Sequence, residues 1–73
     1  SFTHHPMTQT DDIRREYEQG ILTQHGFILR MCERLEYEPL LVDRQALADI
    51  LGMRKKTLTG VLSHMVKRGL IQR

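Results

Sequence analysis

Seventy-three residues hold one domain at most, and a composition 40% hydrophobic with 5% aromatic leaves a small, mainly aliphatic core. A chain this short argues against an enzyme with a deep, water-free pocket. No apolar run reaches the roughly 20 residues of a membrane span, and a single cysteine, Cys32, excludes a disulfide framework or a cysteine-rich zinc site. The net charge of +2 is unevenly spread: residues 1–40 hold four basic against seven acidic side chains, whereas residues 41–73 hold seven basic against Asp43 and Asp49 alone.

Residues 1–10 carry no periodicity and are expected to form a disordered arm or the remnant of a tag, with one domain over 11–73. Thr10 then stands at an N-cap position, Asp11 and Asp12 suit the positive end of a helix dipole, and Ile13, Tyr17 and Ile21 recur at i, i+4, i+8. A first helix over about 11–19 follows. Gly20 weakens its continuation, Thr23 offers a new N-cap, and Ile28, Met31, Cys32 and Leu35 repeat at helical spacing, so a second helix is expected over about 23–37. One long bent helix is the alternative.

Pro39 stops that helix, and Leu40-Leu41-Val42 is a short apolar run suited to a brief strand. Asp43 caps a third helix with Leu47, Ile50 and Leu51 on one face, and Gly52 ends it. A fourth helix, about 55–68, carries Leu58, Val61, Leu62, Met65 and Val66 as a continuous apolar stripe; Gly69 stops it, and a strand begins at Leu70.

Two short helices joined by a glycine-containing turn form a helix-turn-helix, and its packing makes demands at fixed offsets. Ala48 is small where the second helix must approach, and Leu58 and Val61 follow the turn glycine at six and nine residues, pointing back at the first helix. An ordinary three-helix core with the same spacing is the competing explanation. On the other side of the fourth helix, Lys55, Lys56, Thr59, Gly60, Ser63, His64 and Lys67 make a narrow face that is basic or small and holds no acid. Such a face suits the major groove, where lysine donates to guanine and a threonine methyl meets thymine. Arg54 and Thr57, at the helix N-terminus, are better placed for phosphate, and Arg44 joins the set of candidate DNA contacts.

The residues Leu22-Thr23, Phe27-Ile28-Leu29, Ala46-Leu47-Ala48, Leu51-Gly52, Thr57-Leu58-Thr59-Gly60-Val61 and Lys67 to Arg73 resemble the winged-helix core of MarR-type regulators and, less closely, the DNA-binding domain of Crp/Fnr-type regulators. The resemblance implies a mainly α fold: a winged helix-turn-helix-like bundle of three to four helices with a minimal β element, the wing being short or missing. It also implies a transcriptional regulator that binds duplex DNA, commonly as a dimer, with the fourth helix as recognition helix. Arg54 departs from the pattern, standing where many relatives have a capping serine or aspartate. The family's hairpin wing and dimerisation helices do not occur within these residues, so weak binding is expected of this chain alone.

The remaining features point to ordinary roles. His4, His5, His25 and Cys32 lack the spacing of a zinc site, so no metal and no cofactor is expected. Cys32 lies on an apolar stripe and is read as a buried hydrophobe rather than an oxidant sensor. Glu16 with Glu18, and Glu36 with Glu38, make no defined acid–base pair, and there is no phosphate-binding glycine loop, so no enzymatic activity is expected. Ile13, Tyr17 and Ile21 offer a seam for a homodimer or a partner protein. The alternative function is a winged-helix interaction module whose basic helix docks on an acidic partner such as a polymerase or replication factor. A cytoplasmic location without membrane attachment is expected.

Overall fold

The computed structural model describes residues 8–72. The fold is mainly α, with four helices after a short 3-10 turn and no strand among the described residues. The chain divides into two compact units, the first ending at Glu36 and the second beginning at Tyr37.

In the first unit a 3-10 turn, Thr8–Thr10, leads into α1 (Asp11–Glu18), and α2 follows at Gln24–Leu35. The expected arm therefore gives way to structure before residue 11. Arg34 explains part of this, since its Nη1 donates to the Gln9 carbonyl at 2.6 Å. The same guanidinium spans both carboxylate oxygens of Asp12 at 3.1 and 3.2 Å. Thr10 is buried but makes no capping bond, because its backbone (φ −122°, ψ 5°) lies outside the extended region an N-cap uses. Residues 1–7, with His4 and His5, lie outside the described residues.

Two helices form rather than one bent helix. At Gly20 φ reaches 81°, a left-handed conformation that costs glycine little, and the Ile21 N–H then turns back to the Glu16 carbonyl at 2.8 Å. Thr23 caps α2 as its spacing suggests, its hydroxyl oxygen accepting from the Gly26 N–H at 3.1 Å. Ile13, Phe27, Ile28, Met31 and Cys32 are buried. Tyr17 stacks on Phe27 with ring centroids 4.2 Å apart and planes 5° from parallel. The α2 helix ends at Leu35, two residues short of the expected boundary, because Glu36 itself turns left-handed (φ 59°).

The second unit holds the helix-turn-helix, α3 (Arg44–Leu51) and α4 (Lys55–Lys67). The segment Leu40-Leu41-Val42 is a turn and not a strand. After Pro39 the N–H groups of Leu41 and Val42 both donate to the Glu38 carbonyl at 3.0 Å, so the backbone satisfies itself locally, and Leu41 is left 83% exposed. Asp43 then caps α3, its carboxylate accepting from the Ala46 N–H at 2.9 Å. Leu47, Ala48, Leu51, Leu58, Leu62 and Met65 are buried, while Val61 and Val66 at the edges of the apolar stripe are half-buried. The strand expected from Leu70 is also absent among the described residues. The Leu70 N–H is held back on the Met65 carbonyl at 2.9 Å, closing α4 instead of starting a ladder.

Candidate nucleic-acid interface

The turn between α3 and α4 is three residues long, Gly52 to Arg54. Gly52 takes φ 73°, and the Met53 N–H reaches back to the Ala48 carbonyl at 3.0 Å, which satisfies one of the last carbonyls of α3 and sends the chain sharply into α4. Ala48 is fully buried, consistent with the small side chain a close helix approach requires.

Successive residues of α4 advance by about 100° around its axis, so burial of Leu58, Leu62 and Met65 fixes the opposite face. That face carries Lys56, Gly60, Ser63 and Lys67 in a row, flanked by Lys55 and Thr59 on one side and Thr57 and His64 on the other, all of them exposed. No carboxylate occurs on the helix. Thus α4 brings together eight of the ten residues expected at the interface, with exposed Arg54 immediately before them. A methyl group built at Gly60 would meet nothing within 4 Å, so the packing does not call for a glycine there.

The N-terminus of α4 is open. Arg54 occupies the N-cap position with extended backbone (φ −74°, ψ 146°) and no side-chain capping bond, and the first helical bond runs from the Leu58 N–H to the Arg54 carbonyl at 2.9 Å. The N–H groups of Lys55, Lys56 and Thr57 therefore point along the axis without a capping acceptor, at the positive end of the helix dipole.

Arg44 has a different position from the one its residue type alone suggests. It is half-buried at the start of α3, its Nη1 donates to Thr59 Oγ1 at 2.8 Å, and its buried Nε makes no hydrogen bond. Thr59 is bonded twice within the protein, because its hydroxyl also donates to the Lys55 carbonyl at 3.0 Å. Sequence reasoning missed this pairing. Residues 44 and 59 are 15 apart on different helices, and no local pattern marks the reach of an arginine across a turn. Elsewhere, Gln45 donates to Asp49 at 3.0 Å, so one of the two acidic groups on this stretch is engaged along α3.

Cys32 and most of the α1 seam resolve into packing. Cys32 is buried, and desolvation raises its thiol to about 11. No group of three or more His, Cys, Asp or Glu among the described residues is placed to hold a metal ion. Among the described residues no helix is long and apolar enough to cross a membrane. Of the seam on α1, Ile13 is fully buried and Tyr17 is stacked on Phe27, which leaves Ile21, 66% exposed, as the residue still offered to a partner.

No curated protein and no solved structure matches the chain. Residues 18–73 match the family described as the Crp-like helix-turn-helix domain, a span that takes in α2, α3 and α4 and leaves nearly all of α1 ahead of it. The matched family is of the Crp type, the second of the two resemblances drawn from the residues, and nothing in the match is specific to the MarR type. With most of its length matched and its two-helix unit turned at Gly52, the chain belongs to the family of Crp-like helix-turn-helix domains, which are DNA-binding modules.

Proposed function

We propose that the chain is the DNA-reading part of a cytoplasmic transcriptional regulator, with α4 entering the major groove of duplex DNA. The observation that carries this reading is the solvent face of α4, where basic and small side chains run the length of the helix without a carboxylate. In this reading Lys55, Lys56, Thr59, Gly60 and Ser63 lie toward the base edges. Arg54 and Thr57, with the uncapped N–H groups beside them, take a phosphate. His64, Lys67 and Arg44 follow the sugar–phosphate backbone on either side. A small face matters as much as a charged one, since the groove is about 12 Å wide and must admit the whole helix.

The test is a fluorescence-anisotropy titration of the chain against a pool of random duplexes at several salt concentrations, alongside a Lys55→Glu/Lys56→Glu double variant. The expected result is saturable binding that weakens with a log–log salt slope of roughly −3 to −5, as for about four to five neutralised phosphates, and that the double variant abolishes. Both substituted residues are exposed, so the variant should keep the helical circular dichroism of the parent. A folded double variant that binds as tightly as the parent would remove α4 from the interface.

A further inference from the structure

Thr59 lies on the α4 face described above, yet its hydroxyl is already committed inside the protein. The hydroxyl proton goes to the Lys55 carbonyl, 3.0 Å away, and one oxygen lone pair receives the Arg44 Nη1 at 2.8 Å. A threonine hydroxyl has one donor and two acceptor positions. Thr59 therefore has no proton left to give to guanine O6 or N7, to adenine N7 or to thymine O4, the major-groove acceptors. Thr59 is an exposed residue, and what its side chain has left to offer is its methyl group and a single lone pair. The surroundings favour close apolar contact, since Ser63 is the neighbour one turn along and Gly60, with open space where a Cβ would stand, is the next residue.

We infer that Thr59 is a specificity residue that recognises the C5-methyl group of a thymine by van der Waals contact, and that its hydroxyl serves the protein rather than the base. This rests on the proposed placement of α4 in the major groove. Thymine is the one standard DNA base with a methyl group on its major-groove edge, so a methyl reader discriminates it from cytosine and from both purines without a hydrogen bond. The internal bonds also fix the side chain before DNA arrives, so little rotamer freedom is lost on contact.

The experiment starts from a duplex selected out of a random pool by the wild-type chain. Each thymine in that duplex is replaced in turn by uracil, which deletes only the methyl group and keeps every hydrogen-bonding atom. The wild type should lose about threefold to fivefold in affinity at one thymine, the size expected for one buried methyl group. Thr59→Ser, which keeps the hydroxyl and removes the methyl, should bind the thymine and uracil duplexes alike. Thr59→Val, which keeps a methyl and removes the hydroxyl, should retain the discrimination. The thymine-to-uracil ratio is insensitive to a general loss of affinity or of folded fraction, so it isolates the methyl contact.

Three results would overturn the inference while leaving DNA binding intact: no thymine sensitive to methyl removal, a sensitive thymine that Thr59→Ser reads as the parent does, or a Thr59→Val variant that loses the discrimination. Failure to recover any bound duplex would overturn the proposed function itself, and the inference with it.

Discussion

Burial pushes the Cys32 thiol from 9.0 up to about 11, because the thiolate would have to form among apolar side chains without water or a compensating cation. Nucleophilic attack and oxidation both need the thiolate, so this residue is chemically quiet while the chain is folded. A thiol-reactive disulfide reagent at pH 8 should leave the folded chain unlabelled over minutes and label it at once in guanidinium; rapid labelling of the folded chain would place Cys32 at the surface. The sign of the pH effect follows from the same shift. An acid whose folded pKa lies above its unfolded value loses protons first in the unfolded chain, so stability falls as pH rises from about 9 towards 11. Cys32→Ala should show a smaller fall over that window. Asp12 is shifted the other way, held below the usual carboxylate range by its hydrogen bonds to Arg34, but the pair is open to solvent and contributes little to stability.

At the scale of the element, caps decide where helices begin, and α4 begins without one. Replacing Arg54 by serine should supply the missing acceptor and raise stability by about 0.5–1 kcal/mol, measured as a higher urea midpoint. The same change should weaken duplex binding, because the new side chain takes an N–H that the proposed interface gives to phosphate and a cation is lost. A stabilised variant with unchanged binding would show that the helix N-terminus has no part in DNA contact. Local chemistry explains why the helices could be read from sequence at all. Thr23, Asp43 and Gly52 act within three or four residues of themselves, and the apolar repeats of α2 and α4 are spaced by helix geometry. Strands are a different matter: Leu40-Leu41-Val42 and Leu70-Ile71 have suitable side chains, but a strand requires a partner, and the Glu38 carbonyl took the N–H groups of Leu41 and Val42 and the Met65 carbonyl that of Leu70. The Arg44–Thr59 bond escaped notice for a related reason, being a contact of side chains that only the folded turn brings together.

For the whole molecule, small cores set the limits. A core as small as that of the helix-turn-helix unit supplies at most about 3–5 kcal/mol, and Leu58 is fully buried in that unit. Truncating a core leucine costs about 2–5 kcal/mol, so Leu58→Ala should leave most of the chain unfolded at 25 °C by circular dichroism. A cooperative melt close to that of the parent would show that Leu58 is not part of the core. Charge is divided as sharply as packing is limited. The unit ending at Glu36 carries more acid than base, and the unit beginning at Tyr37 carries seven basic groups against Glu38, Asp43 and Asp49. Long-range attraction to a polyanion therefore acts mainly on the helix-turn-helix unit, which favours encounter through that unit.

Gly60 sets stability and use against each other. It stands in the middle of α4 with open space around it, and alanine at a helix interior is worth about 1 kcal/mol more than glycine. A laboratory selection that rewarded heat resistance alone would exchange it for alanine early and would record an improvement. In the proposed complex, however, the added methyl group would stand where a base pair must come, so the hardier protein would be the poorer reader. Thermostabilisation of this domain therefore has to be scored on bound duplex as well as on melting temperature.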